Sequence, residues 1–139
     1  QELSELAAHS ADTLSAEIER AVQMVRATLK GGGTLFFAGN GGSAADAQHM
    51  ATEYVVRYRK ERRAYPAVAL STDSSLLTAA GNDYGFDSIF SRQVEALCKP
   101  GDLLTIMTFT EVDAIAAATW QPRVIVLGEH NAIVTERGI

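Results

Sequence analysis

The stretch Thr34-Leu35-Phe36-Phe37-Ala38-Gly39-Asn40-Gly41-Gly42-Ser43-Ala44-Ala45-Asp46-Ala47-Gln48-His49-Met50-Ala51-Thr52-Glu53 decides how the rest of the chain reads. Thr34–Ala38 predicts a strand that is apolar at successive positions instead of alternating, as strands covered on both faces tend to be. The glycine-rich run from Gly39 to Ser43 breaks it, and Ala44 to Tyr58 predicts a helix. The same strand-then-helix unit recurs less clearly at Ala67–Leu70 with Ser74–Ala80, and again at Leu103–Met107 with Val112–Thr119. Arg123–Leu127 offers a fourth strand. Alternation of this kind implies an α/β fold, a parallel sheet with helices on both faces.

Upstream, Leu3, Leu6, Leu14, Ile18, Val22, Val25 and Leu29 fall close to one helical face, so residues 1–30 predict a long helix. It ends at Lys30 before Gly31-Gly32-Gly33, a basic last turn followed by residues that freely take positive φ. Downstream, Asp87–Leu97 predicts a further amphipathic helix closed by Lys99-Pro100-Gly101. No sequence repeat and no linker divides the chain, so residues 1–139 read as one domain.

Composition excludes several classes. The 139 residues are 47% hydrophobic and 21% charged, with only 3 Pro, which suits a globular domain with one core. No apolar run is long enough to span a bilayer, and no basic segment leads into an apolar one at the N-terminus, so a cytoplasmic location is the expectation. A net charge of −5 argues against a binder driven by nucleic-acid phosphates. Cys98, the one cysteine, has no internal disulfide partner and reads as a small buried hydrophobe.

A buried strand, then Gly39-Asn40-Gly41-Gly42-Ser43, then a helix is a recipe for anion binding at a helix N-terminus. The glycines admit close backbone approach, first-turn N–H groups lack intrahelical partners, and Asn40 and Ser43 add side-chain hydrogen-bonding groups. The alternative is a plain turn with Ser43 as the N-cap. The run is neither a Gly-x-Gly-x-x-Gly dinucleotide fingerprint, because Ala44 holds the last position, nor a P-loop ending in Gly-Lys-Ser/Thr. A phosphorylated small molecule fits it without a nucleotide. Further along the helix, His49 and Glu53 share a face, with Asp46 one turn before His49. Such a pair can ligate a metal, share proton transfer, or simply decorate a solvated helix. Glu53, flanked by Ala51 and Val55, is the better general-base candidate. Arg57-Tyr58-Arg59-Lys60-Glu61-Arg62-Arg63 packs five cations into seven residues, most simply a solvated or interface-facing loop, with attraction of an anionic substrate as the functional alternative.

The run Ala38-Gly39-Asn40-Gly41-Gly42-Ser43-Ala44-Ala45-Asp46-Ala47-Gln48-His49, with Glu53 after it, resembles the signature of the bacterial phosphoheptose isomerases of the sugar-isomerase (SIS) domain family. The similarity continues through Pro66–Leu70, Thr72-Asp73, Leu77–Ala79, Asn82-Asp83-Tyr84-Gly85-Phe86, Arg92–Leu97 and Pro100-Gly101-Asp102. The resemblance implies a doubly wound, flavodoxin-like three-layer sandwich, a homotetramer with sites between subunits, and a zinc ion. It implies conversion of sedoheptulose 7-phosphate to D-glycero-D-manno-heptose 7-phosphate, towards the heptose of lipopolysaccharide or surface glycans. Asn40, Gly41, Gly42, Asn82 and Asp83 would contact substrate. His49 and Glu53 would ligate the metal, and Glu53 would also touch substrate.

The match has limits. Where the family has a Ser-Thr-Ser-Gly-x-Ser phosphate loop, this chain reads Thr108-Phe109-Thr110-Glu111, which keeps hydroxyls at Thr108 and Thr110 and places Glu111 beside them. The family's C-terminal Gln-Glu-x-His segment has no counterpart, His130 reads as a loop residue outside any metal site, and the chain is shorter than the resemblance implies. The competing expectation is a non-catalytic SIS-domain protein that binds a phosphosugar or regulates, similar to the proteins that associate with the bacterial replication initiator. Retention of both His49 and Glu53 favours the enzyme.

Overall fold

A computed structural model describes the backbone of residues 2–107, 123–127 and 132–135, with side chains described for residues 4 and 14–107. The order of elements is α1 (Glu2–Lys30), β1 (Leu35–Ala38), α2 (Gly42–Val55), β2 (Ala67–Ala69), α3 (Ser74–Tyr84), a 3₁₀ turn (Phe86–Ser88), α4 (Ser91–Leu97), β3 (Leu103–Ile106), β4 (Arg123–Leu127) and β5 (Ala132–Thr135). The strands form one sheet in the order β2-β1-β3-β4-β5. β1 pairs parallel with β2 and β3, and β3 with β4, whereas β5 runs antiparallel to β4.

All four β1 residues are buried, as an apolar run without alternation requires. Phe36 and Ala38 face one side with Leu104, Ile106, Leu70, Ala80, Ile89, Phe90, Val94 and Cys98, so α3 and α4 cover that face. Leu35 and Phe37 face the other with Leu103, Met24, Ala47 and Ala51, so α1 and α2 cover it. Helices on both faces of a mostly parallel sheet make the expected three-layer sandwich.

Several boundaries depart from the sequence-based expectations. β5 carries no strand signal that the sequence reading used. The helix expected over Asp87–Leu97 is broken into a 3₁₀ turn and α4, because Ile89 and Phe90 turn inward between them and both are buried. α2 stops at Val55 instead of Tyr58, and the exposed β-branched pair Val55-Val56 ends it. The helix expected over Val112–Thr119, together with Thr108, Thr110, Glu111 and His130, lies outside the described residues.

Two carboxylates fix connections. Asp102 is buried and accepts from the Thr34 and Lys99 backbone N–H groups, both at 2.7 Å, which locks the turn before β3 to the start of β1. Asp73 caps α3 by accepting from the Leu76 N–H at 2.9 Å. Burial, aided by the Asp102 charge, pushes the Cys98 thiol up to about 12. Cys98 is thus the inert buried hydrophobe expected of it.

Candidate functional site

β1 lies between β2 and β3, so the chain leaves it in one direction towards β2 and returns on its other side. In open α/β sheets with this strand order, ligands bind in the crevice beyond the carboxyl ends of the strands at that reversal. Gly39–Ser43 follows β1 there, beside Met107 at the end of β3, whose N–H donates to the Ala38 carbonyl at 2.7 Å. The packing explains Gly39: a Cβ at that position would meet Ser43 O at 2.6 Å and Met107 O at 2.8 Å. Gly41 precedes the helix with φ of 55°, a conformation that glycine adopts without strain.

α2 begins at Gly42, so Ser43 is inside its first turn and does not serve as the N-cap. The N-cap is Gly41, which has no side chain to cap the helix. The Ala44 N–H reaches the Asn40 and Gly41 carbonyls at 3.3 and 3.2 Å, which closes the turn. The positive pole of the helix dipole and, among the described residues, open space where a Gly42 Cβ would point suit this end to an anion.

The same helix carries the acid–base pair. Ala47 and Ala51 face the sheet, and His49 and Glu53 lie on another face with His49 Nε2 3.2 Å from Glu53 Oε1. His49 is 71% exposed at its side chain and Glu53 28%, so the imidazole stands in solvent while the carboxylate is largely covered. Glu53 Oε2 is buried with no hydrogen-bond partner among the described residues. A buried carboxylate oxygen without a donor is costly, and a metal, a substrate or a further chain would satisfy it. Asp46 is exposed. At about 1.5 Å per residue, His49 stands roughly 9 Å and Glu53 roughly 15 Å along the axis from Ser43.

Two donors on a tetrahedral zinc stand about 3.4 Å apart. The His49–Glu53 spacing therefore fits two positions of such a site, as does the donor chemistry of an imidazole and a carboxylate. Among the described residues no cluster of three His, Cys, Asp or Glu side chains completes it.

Asn82 and Asp83 are exposed in the last turn of α3, with Asn82 Nδ2 donating to Asp83 Oδ1 at 2.8 Å. They stand on α3, about 12 Å along it from its start, whereas His49 and Glu53 stand on α2. The loop after β2 does approach the site helix: Ser71 Oγ donates to the Ala44 carbonyl at 3.3 Å.

The cationic run is less free than its charge suggests. Arg57 pairs with Glu61 at 3.4 Å and Arg59 lies over the Tyr58 ring, both exposed. Arg62 is half-buried, lies over the Tyr65 ring and donates to the Glu53 and Tyr54 carbonyls at 2.6 and 2.9 Å. Tyr54 in turn stacks on Phe37 with ring centres 5.9 Å apart. Burial raises the Tyr54 phenol above its usual range, opposed by the Arg62 charge. The sequence reading missed this role of Arg62; a lone cation within a dense run gives no signal for it. No described helix is long and apolar enough to cross a membrane.

The model of the SIS domain family matches residues 1–117. The chain is 62% identical over 80 residues to a phosphoheptose isomerase of Aquifex aeolicus, which covers 58% of this chain and 42% of that protein. It is 58% identical over 102 residues to one of Pelobacter propionicus, covering 73% and 52%. The chain thus spans about half the length of these relatives. Among solved structures, the phosphoheptose isomerase of Neisseria gonorrhoeae superposes with a TM-score of 0.68 at 36% identity, covering 92% of this chain and 74% of that one. That of Francisella tularensis gives 0.69 at 28% identity, covering 92% and 75%. The three-layer sandwich, the glycine loop at its switch point and the family match agree: the chain belongs to the SIS-domain family.

Proposed function

We propose that the protein isomerises the ketose sedoheptulose 7-phosphate to the aldose D-glycero-D-manno-heptose 7-phosphate. The observation that carries the reading is the construction of α2: a glycine-lined N-terminus suited to phosphate, with an imidazole–carboxylate pair two to three turns along the same helix.

Asn40, Gly41, Gly42 and Ser43 hold the sugar phosphate, with further hydroxyls from Thr108 and Thr110, which lie outside the described residues. Aldose–ketose interconversion moves a proton between adjacent carbons through an enediol. Glu53 takes the proton from C1 of the ketose and returns it to C2 while the O1 proton passes to O2, and its Oε2, which has no partner among the described residues, is the oxygen suited to the carbon-bound proton. His49 holds Oε1 and so orients the carboxylate. His49 and Glu53 would hold a zinc ion as two of its ligands, and the ion would supply Lewis-acid stabilisation of the oxygens that gain charge. Asn82 and Asp83 also contact the substrate, in a homotetramer with sites between subunits, a cytoplasmic enzyme whose product feeds the heptose of lipopolysaccharide or surface glycans.

The second reading is a phosphosugar-binding or regulatory SIS module that retains the loop without turnover. The two part on one comparison. The proposal expects the wild-type protein to convert sedoheptulose 7-phosphate and Glu53→Gln to lose turnover while keeping its circular dichroism spectrum. Activity of Glu53→Gln within a few-fold of wild type would remove Glu53 from the mechanism.

A further inference from the structure

We infer that Arg62 is a positioning residue for Glu53, acting from the cationic loop through the backbone of the last turn of α2. The inference rests on the reading of Glu53 as the reacting carboxylate.

The last carbonyls of a helix have no intrahelical partners. In α2 the problem falls on the site itself. The helix ends at Val55, only two residues beyond Glu53, and the last turn contains no basic residue to complement the negative end of the dipole. Thr52 is the last carbonyl satisfied in the helical manner at the cap, by the Val56 N–H at 2.8 Å. The next two, those of Glu53 and Tyr54, are taken up from outside. Arg62 Nη2 donates to the Glu53 carbonyl at 2.6 Å and Nη1 to the Tyr54 carbonyl at 2.9 Å, with Nη1 also reaching the Arg63 carbonyl at 2.8 Å. The Tyr65 N–H adds a second donor to the Tyr54 carbonyl at 3.1 Å.

The guanidinium is itself held. It lies over the Tyr65 ring, 4.5 Å from its centre, and the loop it comes from returns to β2 through Tyr65 and Pro66. Its planar fork spans two adjacent carbonyls in a way that an ammonium cannot. Fraying of the last turn would carry the Glu53 Cα away from the previous turn and break the 3.2 Å approach of its carboxylate to His49. Arg62 is what this chain provides against that motion, and the dense cationic run contains one arginine whose charge is spent on the site helix.

The test compares Arg62→Met, which keeps the stem over Tyr65 but removes every donor, with Arg62→Lys, which keeps the charge without the fork. Three readouts are taken: the melting temperature, the His49 imidazole cross-peak in NMR at fixed pH, assigned with His49→Gln, and kcat and KM on sedoheptulose 7-phosphate. The expected result for Arg62→Met is a folded protein whose His49 peak moves towards its position in Glu53→Gln. A misplaced reacting group costs up to about a hundredfold, so kcat should fall about tenfold or more with KM within about threefold. Arg62→Lys should lie between. A purely structural cap would lower the melting temperature and leave the His49 peak in place, and that result, or a loss confined to KM, overturns the inference. Should wild type itself show no turnover, the isomerase reading fails and the His49 peak alone decides for Arg62. Should Arg62→Met not fold, the same peak and kcat in Arg62→Lys decide, with wild-type values overturning the role.

Discussion

Two glycines three residues apart in the loop after β1 should respond oppositely to one methyl group. At Gly39 an added Cβ would meet three backbone atoms, Ser43 O at 2.6 Å, Ser43 C at 2.7 Å and Met107 O at 2.8 Å. None is the end of a flexible side chain, so the end of β1 must move against both the first turn of α2 and the end of β3. Overpacking of this kind costs about 1–3 kcal/mol, and rigid neighbours place Gly39→Ala near 3 kcal/mol. For a domain of this size that lowers the melting temperature by on the order of 10 °C. At Gly42 a Cβ has nothing within 4 Å and φ is not positive. Gly42→Ala should change stability by less than about 0.5 kcal/mol, with a small gain in helix propensity in its favour. Thermal melts followed at 222 nm measure both, and calorimetric titration with sedoheptulose 7-phosphate measures what the open space is for. Gly42→Ala should melt like wild type yet bind the sugar phosphate weakly, because the methyl group occupies the approach to the α2 N-terminus. A Gly39→Ala melting temperature within 2 °C of wild type would refute the close approach, and unaltered ligand affinity in Gly42→Ala would refute the placement of the phosphate.

Other outcomes follow from the same structure. Asp102→Ala strands two backbone N–H groups that it now satisfies at 2.7 Å each and should cost about 3 kcal/mol in urea unfolding. Asp73→Ala removes the α3 cap and should cost about 1 kcal/mol by the same measurement, clearly less than Asp102→Ala. With its thiol near 12, Cys98 should resist iodoacetamide at pH 8 in the native protein and react once unfolded. Because that folded value lies above the unfolded one, its contribution is constant below about pH 8 and stability should fall as pH rises through 9 towards 12.

The parts legible in the sequence were those governed by local pattern. Leu35–Ala38 lacked alternation because it is covered twice, and the glycines after it marked a close approach at Gly39 and a positive φ at Gly41 that only the packed strands make necessary. β4 matched its expected limits, Arg123–Leu127. β5 was not legible, since its pairing with β4 is decided across the sheet. Nor was the early end of α2, where a cation nine residues beyond Glu53 in sequence takes over carbonyls that helical periodicity would have continued to pair. At the site, the i,i+4 spacing brought His49 and Glu53 together as helix geometry dictates. Spacing carried no information on what meets Glu53 Oε2, because that partner is supplied by groups distant in sequence or outside the chain.

The most direct test of the account is the conversion of sedoheptulose 7-phosphate by the purified protein, chelator-treated and then with and without added zinc, with the product identified by NMR. The account predicts zinc-dependent formation of D-glycero-D-manno-heptose 7-phosphate. Tight binding of the sugar phosphate without any conversion, at every zinc concentration, would contradict it and leave the glycine loop as the site of a binding module.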